Sequence, residues 1–375
     1  MRWMAAYVKS SWFLILLPLS FFGLLGCQKH TQEWPAYEYS DLRCSGWHTA
    51  LSLSDDDKCL AVSADGASAR DNSSIVAIRD GQTTYYTGVM IKTSPRVEQI
   101  EFVSNEFGFL LALSLHPDEA RQMKWPVGSP SLEQLKLNGE RRVVVNSIPH
   151  PICSLALSAD RKLAAVCMSA VSDPPVAPQC CVYSLDDGKQ VSKLELPNAF
   201  NGKAKAVFVG NTHHLVVLTN SPYHPERAYL IRAESGEVLQ ETKLPRDSSI
   251  YCLVGSSQVN EVFCSQSGAI LRIVVEGDIF RISEFYKQNL HGGVGINAYW
   301  LAIDSSGKLL AAGESSGGSE ERHATQFIDV STGRLRTPML EGSGPMRFSS
   351  DGKWLYFPSK RVQLNRLSLT VSPPE

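Results

Sequence analysis

One short pattern recurs along the whole chain and leaves few folds open to it. Its clearest copy is MRFSSDGKWLYF at residues 346–357: an apolar run, a tight polar turn through Ser350, Asp351, Gly352 and Lys353, and a second apolar run. Asp-Gly between two apolar runs signals a hairpin, because glycine accepts the positive φ that such turns require. Weaker copies align on the residue before the turn, at Ser54, Val103, Ser158, Gly210, Gly255, Asp304 and Ser349, with spacings of 49, 55, 52, 45, 49 and 45. Periods of about 40–50 residues with several strands per unit mark a β-propeller.

The side chains agree with that alignment. Leu51 and Leu53, Ile100 and Phe102, Leu155 and Leu157, Val207 and Val209, Cys252 and Val254, Leu301 and Ile303, and Met346 and Phe348 alternate just before the anchors. Period-two alternation places each pair on one face of a strand. The strands that follow, such as LAAV at Leu163 and LVVL at Leu215, are apolar throughout, as suits a strand covered on both faces. A second hairpin pattern lies further along three units, in YSLDDGKQ at Tyr183, IRAESGEV at Ile231 and IDVSTGRL at Ile328. It reads as the outer hairpin of a four-stranded blade.

The SSDGKWLYF element and the D-x-x-T-G outer turn resemble the WD-repeat-like propellers of bacteria, over roughly residues 40–370. The Trp-Asp dipeptide and Gly-His pair of the eukaryotic branch do not occur, so the resemblance implies a fold and little about activity. The expected fold class is all-β: a seven-bladed β-propeller of four-stranded antiparallel blades. The last unit runs out of chain after about three strands. An open sheet edge is a liability, so residues 37–44 (YEYSDLRC) are expected to supply the missing strand and close the ring.

The first residues read as an address. Arg2 and Lys9 precede a 14-residue, nearly unbroken apolar run from Trp12 to Leu25, interrupted by Pro18. That is short for a bilayer span and has the form of a secretory signal. It ends in Leu24-Leu25-Gly26-Cys27, which matches the bacterial lipobox. The expectation is therefore a signal peptide over 1–26, lipid on Cys27, a tether over 27–36 and one propeller domain over 37–375. Gln28 stands where an Asp would resemble an inner-membrane retention signal, so the expected location is the outer membrane, facing the periplasm. With 36 basic and 38 acidic residues, the composition offers no basic excess for nucleic acid.

There are nine cysteines, and lipidation of Cys27 leaves eight in an oxidising setting. If the third inner turn centres on Asp160, Cys153 falls opposite Cys167; if the fifth centres on Gln258, Cys252 falls opposite Cys264. Both are possible disulfides, set against the reading that Cys252 is a buried thiol at a core position. Cys180 and Cys181 are vicinal, and neighbours on a strand point to opposite sides.

No constellation of catalytic, metal or cofactor residues emerges. His213-His214 sit in a hairpin turn and should diverge. Asp55-Asp56-Asp57 lacks calcium-loop spacing and reads as a solvated turn. His291-Gly-Gly-Val-Gly295 has no following Lys-Ser/Thr and reads as a linker. The expected function is a non-catalytic protein-binding or scaffold module of the bacterial cell envelope. It would be held to the membrane through Cys27, and it resembles in plan the propeller lipoprotein of outer-membrane protein assembly. The alternative is a lactonase-like propeller hydrolase with a central-channel site, for which Glu101, Asn201, Asn297 and Arg347 are the available polar residues. Longer insertions near 65–74, 116–130, 171–179, 221–227 and 314–323 would lie on one rim.

Overall fold

The computed structural model describes residues 48–369, apart from 65–73, 81–82, 92–95, 115–129, 139, 147, 173–174, 197–202, 221–225, 246–248, 288–296, 316–323, 342–343 and 359–363. All of them belong to one compact unit, Trp34–Glu375. Every regular element among them is a strand. Sheet one runs β1 (His48–Leu53), β2 (Cys59–Ala64), β3 (Ser74–Asp80), β4 (Thr83–Ile91). Sheet two runs β5 (Arg96–Ser104), β6 (Gly108–Ser114), β7 (Ser131–Leu135), β8 (Arg141–Val145). Sheet three holds β9 (Ile152–Leu157), β10 (Leu163–Met168), β13 (Gln179–Ser184) and β14 (Gln190–Glu195), with a small hairpin, β11 (Val171–Ser172) and β12 (Pro175–Val176), set between β10 and β13. Sheet four is β15 (Lys203–Phe208), β16 (His214–Asn220), β17 (Arg227–Arg232), β18 (Glu237–Lys243). Sheet five is β19 (Ile250–Gly255), β20 (Glu261–Gln266), β21 (Ala269–Glu276), β22 (Ile279–Lys287). Sheet six is β23 (Asn297–Ile303), β24 (Leu309–Ser315), β25 (Ala324–Asp329), β26 (Leu335–Glu341). The last sheet has three strands, β27 (Arg347–Phe348), β28 (Trp354–Pro358) and β29 (Leu364–Ser368). All pairings are antiparallel meanders, so this is a β-propeller of four-stranded blades. The strand expected at 37–44, Cys27 and most of the expected rim insertions lie outside the described residues.

The core sits between the sheets. Second strands are sealed on both faces; all of Leu163–Met168 and all of Gly108–Ser114 are buried. Each successive pair of sheets encloses its own apolar cluster, such as Ala61 with Ile100 and Phe109 between the first two, or Ala165 with Phe208 and Val217 between the third and fourth. Tyr356 packs with Leu51, Leu60 and Val62, which brings the last sheet back to the first. Fully burying one such side chain contributes about 1.5–3 kcal/mol, so the rings of contact on both faces of every sheet dominate stability.

The inner turns share one hydrogen-bonded form. Ser54 N–H donates to Cys59 O and Asp57 N–H to Ser54 O; the same pair of bonds recurs at Ser158, Asp304 and Ser349. The fourth residue of this turn has positive φ: glycine at Gly307 and Gly352, but Asp57 (59°) and Arg161 (60°) in the other two. In the fourth sheet the anchor is Val209, because Phe208 pairs with Leu215; in the fifth it is Ser256, because Gly255 pairs with Val262. These are one-residue corrections to Gly210 and Gly255. A slip of one residue exchanges the faces of a strand. Ala206 and Phe208 face the preceding sheet, while Val207 and Val209 face the following one.

The same offset changes the cysteines. The third inner turn centres between Asp160 and Arg161, so Cys167 lies opposite Ser154, and Cys153 is bulged between the Ser154 and Ile152 pairings. Cys252 lies opposite Ser265 and Cys264 opposite Leu253. The direct opposition expected for Cys153 with Cys167 and for Cys252 with Cys264 is therefore absent, and neither of those bridges is formed in this structure. The bulge at Cys153 has counterparts: register breaks around Thr49, Glu98, Tyr251 and Tyr299 fall at the same place in β1, β5, β19 and β23.

Candidate functional site at the turn rim

The inner turns gather at one rim of the ring, and there a pocket of about 150 Å³ opens between sheets one, two, three and seven. Its walls include Ser54, Asp55 and Asp57 from the first inner turn, Glu101 and Phe102 from β5, Arg161 from the third inner turn, and Arg347 and Ser350 from the last sheet. The local sequence places these groups. Arg347 and Glu101 sit on inner strands two residues before an anchor, and Asp57 and Arg161 hold the positive-φ corner of their turns.

Every charged side chain in the pocket is engaged across sheets. Arg347 pairs with the Glu101 carboxylate and donates through Nε to Leu51 O at 3.3 Å. Glu101 also accepts from Gln99 Nε2 at 3.1 Å, and Gln99 Oε1 accepts from Leu155 N–H at 2.8 Å. One hydrogen-bonded path thus links the third, second, last and first sheets. Arg161 donates to Phe102 O and reaches Asp55 at 3.3 Å. The Asp57 carboxylate accepts from Ser350 N–H at 3.0 Å and Ser350 Oγ at 3.0 Å. Burial pushes the Asp57 carboxyl above its ordinary value, and the Ser350 bonds oppose that push. Asp57 is thus a latch and not the solvated turn residue expected of it. Asp56 does behave as a turn acid: the hydrogen bond from Ser54 is the first cause holding its carboxyl low.

The latches continue around the rim. Ser305 Oγ donates to Ser350 O at 2.8 Å and Ser256 Oγ to Ser305 O at 3.1 Å. His213 and His214 diverge. His213 lies between Glu234 and Asp160 of the third sheet's turn, whereas His214 Nε2 meets Asp278 of the fifth sheet at 3.3 Å. They stitch neighbouring sheets together and converge on no common point. Among the described residues no group of three or more His, Cys, Asp or Glu is arranged to hold a metal ion.

Of the four polar residues considered for a channel site, the structure brings Glu101 and Arg347 together; Asn297 only begins β23, and Asn201 lies outside the described residues. Arg161, Asp57 and Gln99 were not foreseen there. Sheet-to-sheet proximity of residues 56 to 296 positions apart leaves no local signal, and a non-glycine residue at positive φ is visible only in three dimensions.

These features define a β-propeller with a small, internally paired pocket among its inner turns. No protein-family model and no curated protein matches the chain. Among solved structures, a chain of Kuenenia stuttgartiensis hydrazine synthase matches with a TM-score of 0.65 at 14% identity, covering 88% of this chain and 97% of that one. Likeness at that identity establishes the common fold.

Proposed function

We propose that this chain is a non-catalytic scaffold of the bacterial cell envelope: a seven-bladed propeller tethered to the outer membrane through lipid on Cys27 and offering its rim to an envelope protein. One observation carries the non-catalytic part. The acids and bases of the rim pocket are already committed to one another and to backbone groups of neighbouring sheets. A hydrolase needs a base or nucleophile held for its substrate, whereas here Glu101 holds Arg347 and Gln99. Such cross-sheet pairing stiffens a ring, and a stiff ring presents loops in fixed relation, which is what a binding module requires. The lipid part rests on the lipobox and its preceding apolar run. Several acyl chains on one residue anchor stably where a single chain binds marginally.

Affinity capture of the lipidated chain from solubilised envelopes should bring down a stoichiometric membrane-associated protein, and metal analysis of the purified chain should find no bound stoichiometric ion. A stoichiometric metal accompanied by esterase or lactonase turnover would replace the scaffold reading with the hydrolase. Cys27→Ser should abolish the lipid mass and release the domain from the membrane fraction; unchanged fractionation with no lipid mass lost would remove the anchor.

A further inference from the structure

Three thiols meet between the third and fourth sheets. Cys167 on β10 and Cys180 on β13 are direct partners in the antiparallel register. Both belong to one apolar cluster, at 0% and 2% exposure. Directly opposed residues of an antiparallel pair have Cα atoms about 4.5 or 5.5 Å apart, and disulfides take Cα separations of about 4.4–6.8 Å. Their side chains leave the sheet on the same face. Cys181 leaves it on the other and joins the cluster shared with the second sheet, so the vicinal pair is divided. Cys153, bulged from β9, packs beside the first two, but its thiol is turned to backbone, donating to Ala204 O at 3.0 Å and Cys167 O at 3.4 Å.

We propose that Cys167 and Cys180 are a disulfide-forming pair, oxidised across β10 and β13 while the blade assembles and sealed by the fourth sheet afterwards. A thiolate of the pair attacks one sulfur of a disulfide oxidant such as oxidised glutathione. A mixed disulfide forms and one small thiol leaves. The second cysteine, as thiolate, attacks the protein sulfur of that mixed disulfide, which closes the Cys167–Cys180 bond and expels the second small thiol. The protein gives up two protons and two electrons, and the oxidant's S–S bond becomes two thiols. The timing follows from burial. In the folded chain burial, and then the adjacent Cys180 thiol, pushes the Cys167 thiol well up, so little thiolate is present to react. The bond closes a short loop around β11 and β12 and narrows the unfolded ensemble.

The test is refolding of the full chain from the reduced, denatured state in a glutathione redox buffer, followed by peptide mapping of the folded fraction without reduction. The expected product is a Cys167–Cys180 linked peptide that persists in Cys153→Ala, with a thermal midpoint roughly 4 °C above that of protein refolded under reductant. Protein already folded in the reduced state should resist the same oxidant. Free thiols at both positions in the oxidatively refolded fraction, or a dominant Cys153–Cys167 link, would overturn the assignment. Cys180→Ala should lose both the link and the thermal shift; if that variant does not fold, the map of the unaltered chain still decides.

Discussion

Arg347 joins three sheets at the seam, since its guanidinium touches β1 through Leu51 O and β5 through Glu101 from the last sheet. Its side chain is 40% exposed and that of Glu101 14%, so removing the arginine strands a carboxylate that is mostly withdrawn from water. Arg347→Ala should lower unfolding free energy in urea by about 1–2 kcal/mol, the range for charge-assisted bonds discounted for partial exposure. Arg347→Lys should recover less than half, because the guanidinium reaches Leu51 O and Glu101 from two separate nitrogens, whereas all the donors of an ammonium radiate from one atom. His213 yields a prediction in pH. Its hydrogen bond to Glu234 is the first cause raising its folded value above the ordinary 6.5. A group raised on folding stabilises fully below its unfolded value and loses that contribution as pH rises through the folded one. The urea midpoint should therefore fall between about pH 6.5 and the pH where folded His213 deprotonates. His213→Gln should flatten that limb; an unchanged slope would show that the His213 contacts are not maintained in solution.

The hairpins were legible because each states itself locally. SSDGK, DSSGK, SADRK and SDDDK put a small or acidic residue at the start and a glycine, or a residue forced to act like one, at the corner. The exact anchor was less legible where the turn lacks that signature, and Val209 and Ser256 were each missed by one residue. The bulges in five inner strands fall on four residue types, Thr49, Glu98, Cys153, Tyr251 and Tyr299, so no one residue marks them in the sequence. They matter because a bulge re-aims side chains, and Tyr251 and Tyr299 meet across two sheets with ring centroids 4.4 Å apart. Glycine corners differ sharply in what surrounds them. A Cβ at Gly108 (φ +83°) would stand 2.2 Å from Leu135 O, whereas at Gly277 (φ +62°) nothing lies within 4 Å. Gly277→Ala should then cost only the positive-φ term, about 1 kcal/mol. Gly108→Ala adds a backbone collision and should cost roughly 3 kcal/mol, read as paired urea midpoints. Equal losses would mean the β6–β7 contact relaxes freely.

At the scale of the molecule the question is how the ring shuts. The repeat spacing announced blades, and the apolar second strands announced their burial, but closure depends on contacts between residues nearly the whole chain apart. Among the described residues, the apolar cluster at the seam between the last sheet and the first has Leu51, Leu60, Val62 and Tyr356 as its buried members. Polar latches add to it: Asp57 to Ser350, and Arg347 to Leu51 O. These act at the inner turns and inner strands. The outer side of the last sheet ends at β29, with three strands among the described residues. An outer strand from residues 37–44 pairing with β29 would complete that blade and tie the chain's ends together, satisfying backbone groups that an open edge leaves to water. Four ladder hydrogen bonds at about 1 kcal/mol net each would contribute roughly 4 kcal/mol, more than any single rim latch. In a soluble form beginning after Cys27, deletion of residues 36–44 should therefore lower the thermal midpoint of the whole domain in one cooperative transition. Deletion of 28–33 should leave it unchanged, because a tether shares no sheet. Identical midpoints for both deletions and the parent would show that the seam closes on the inner strands alone.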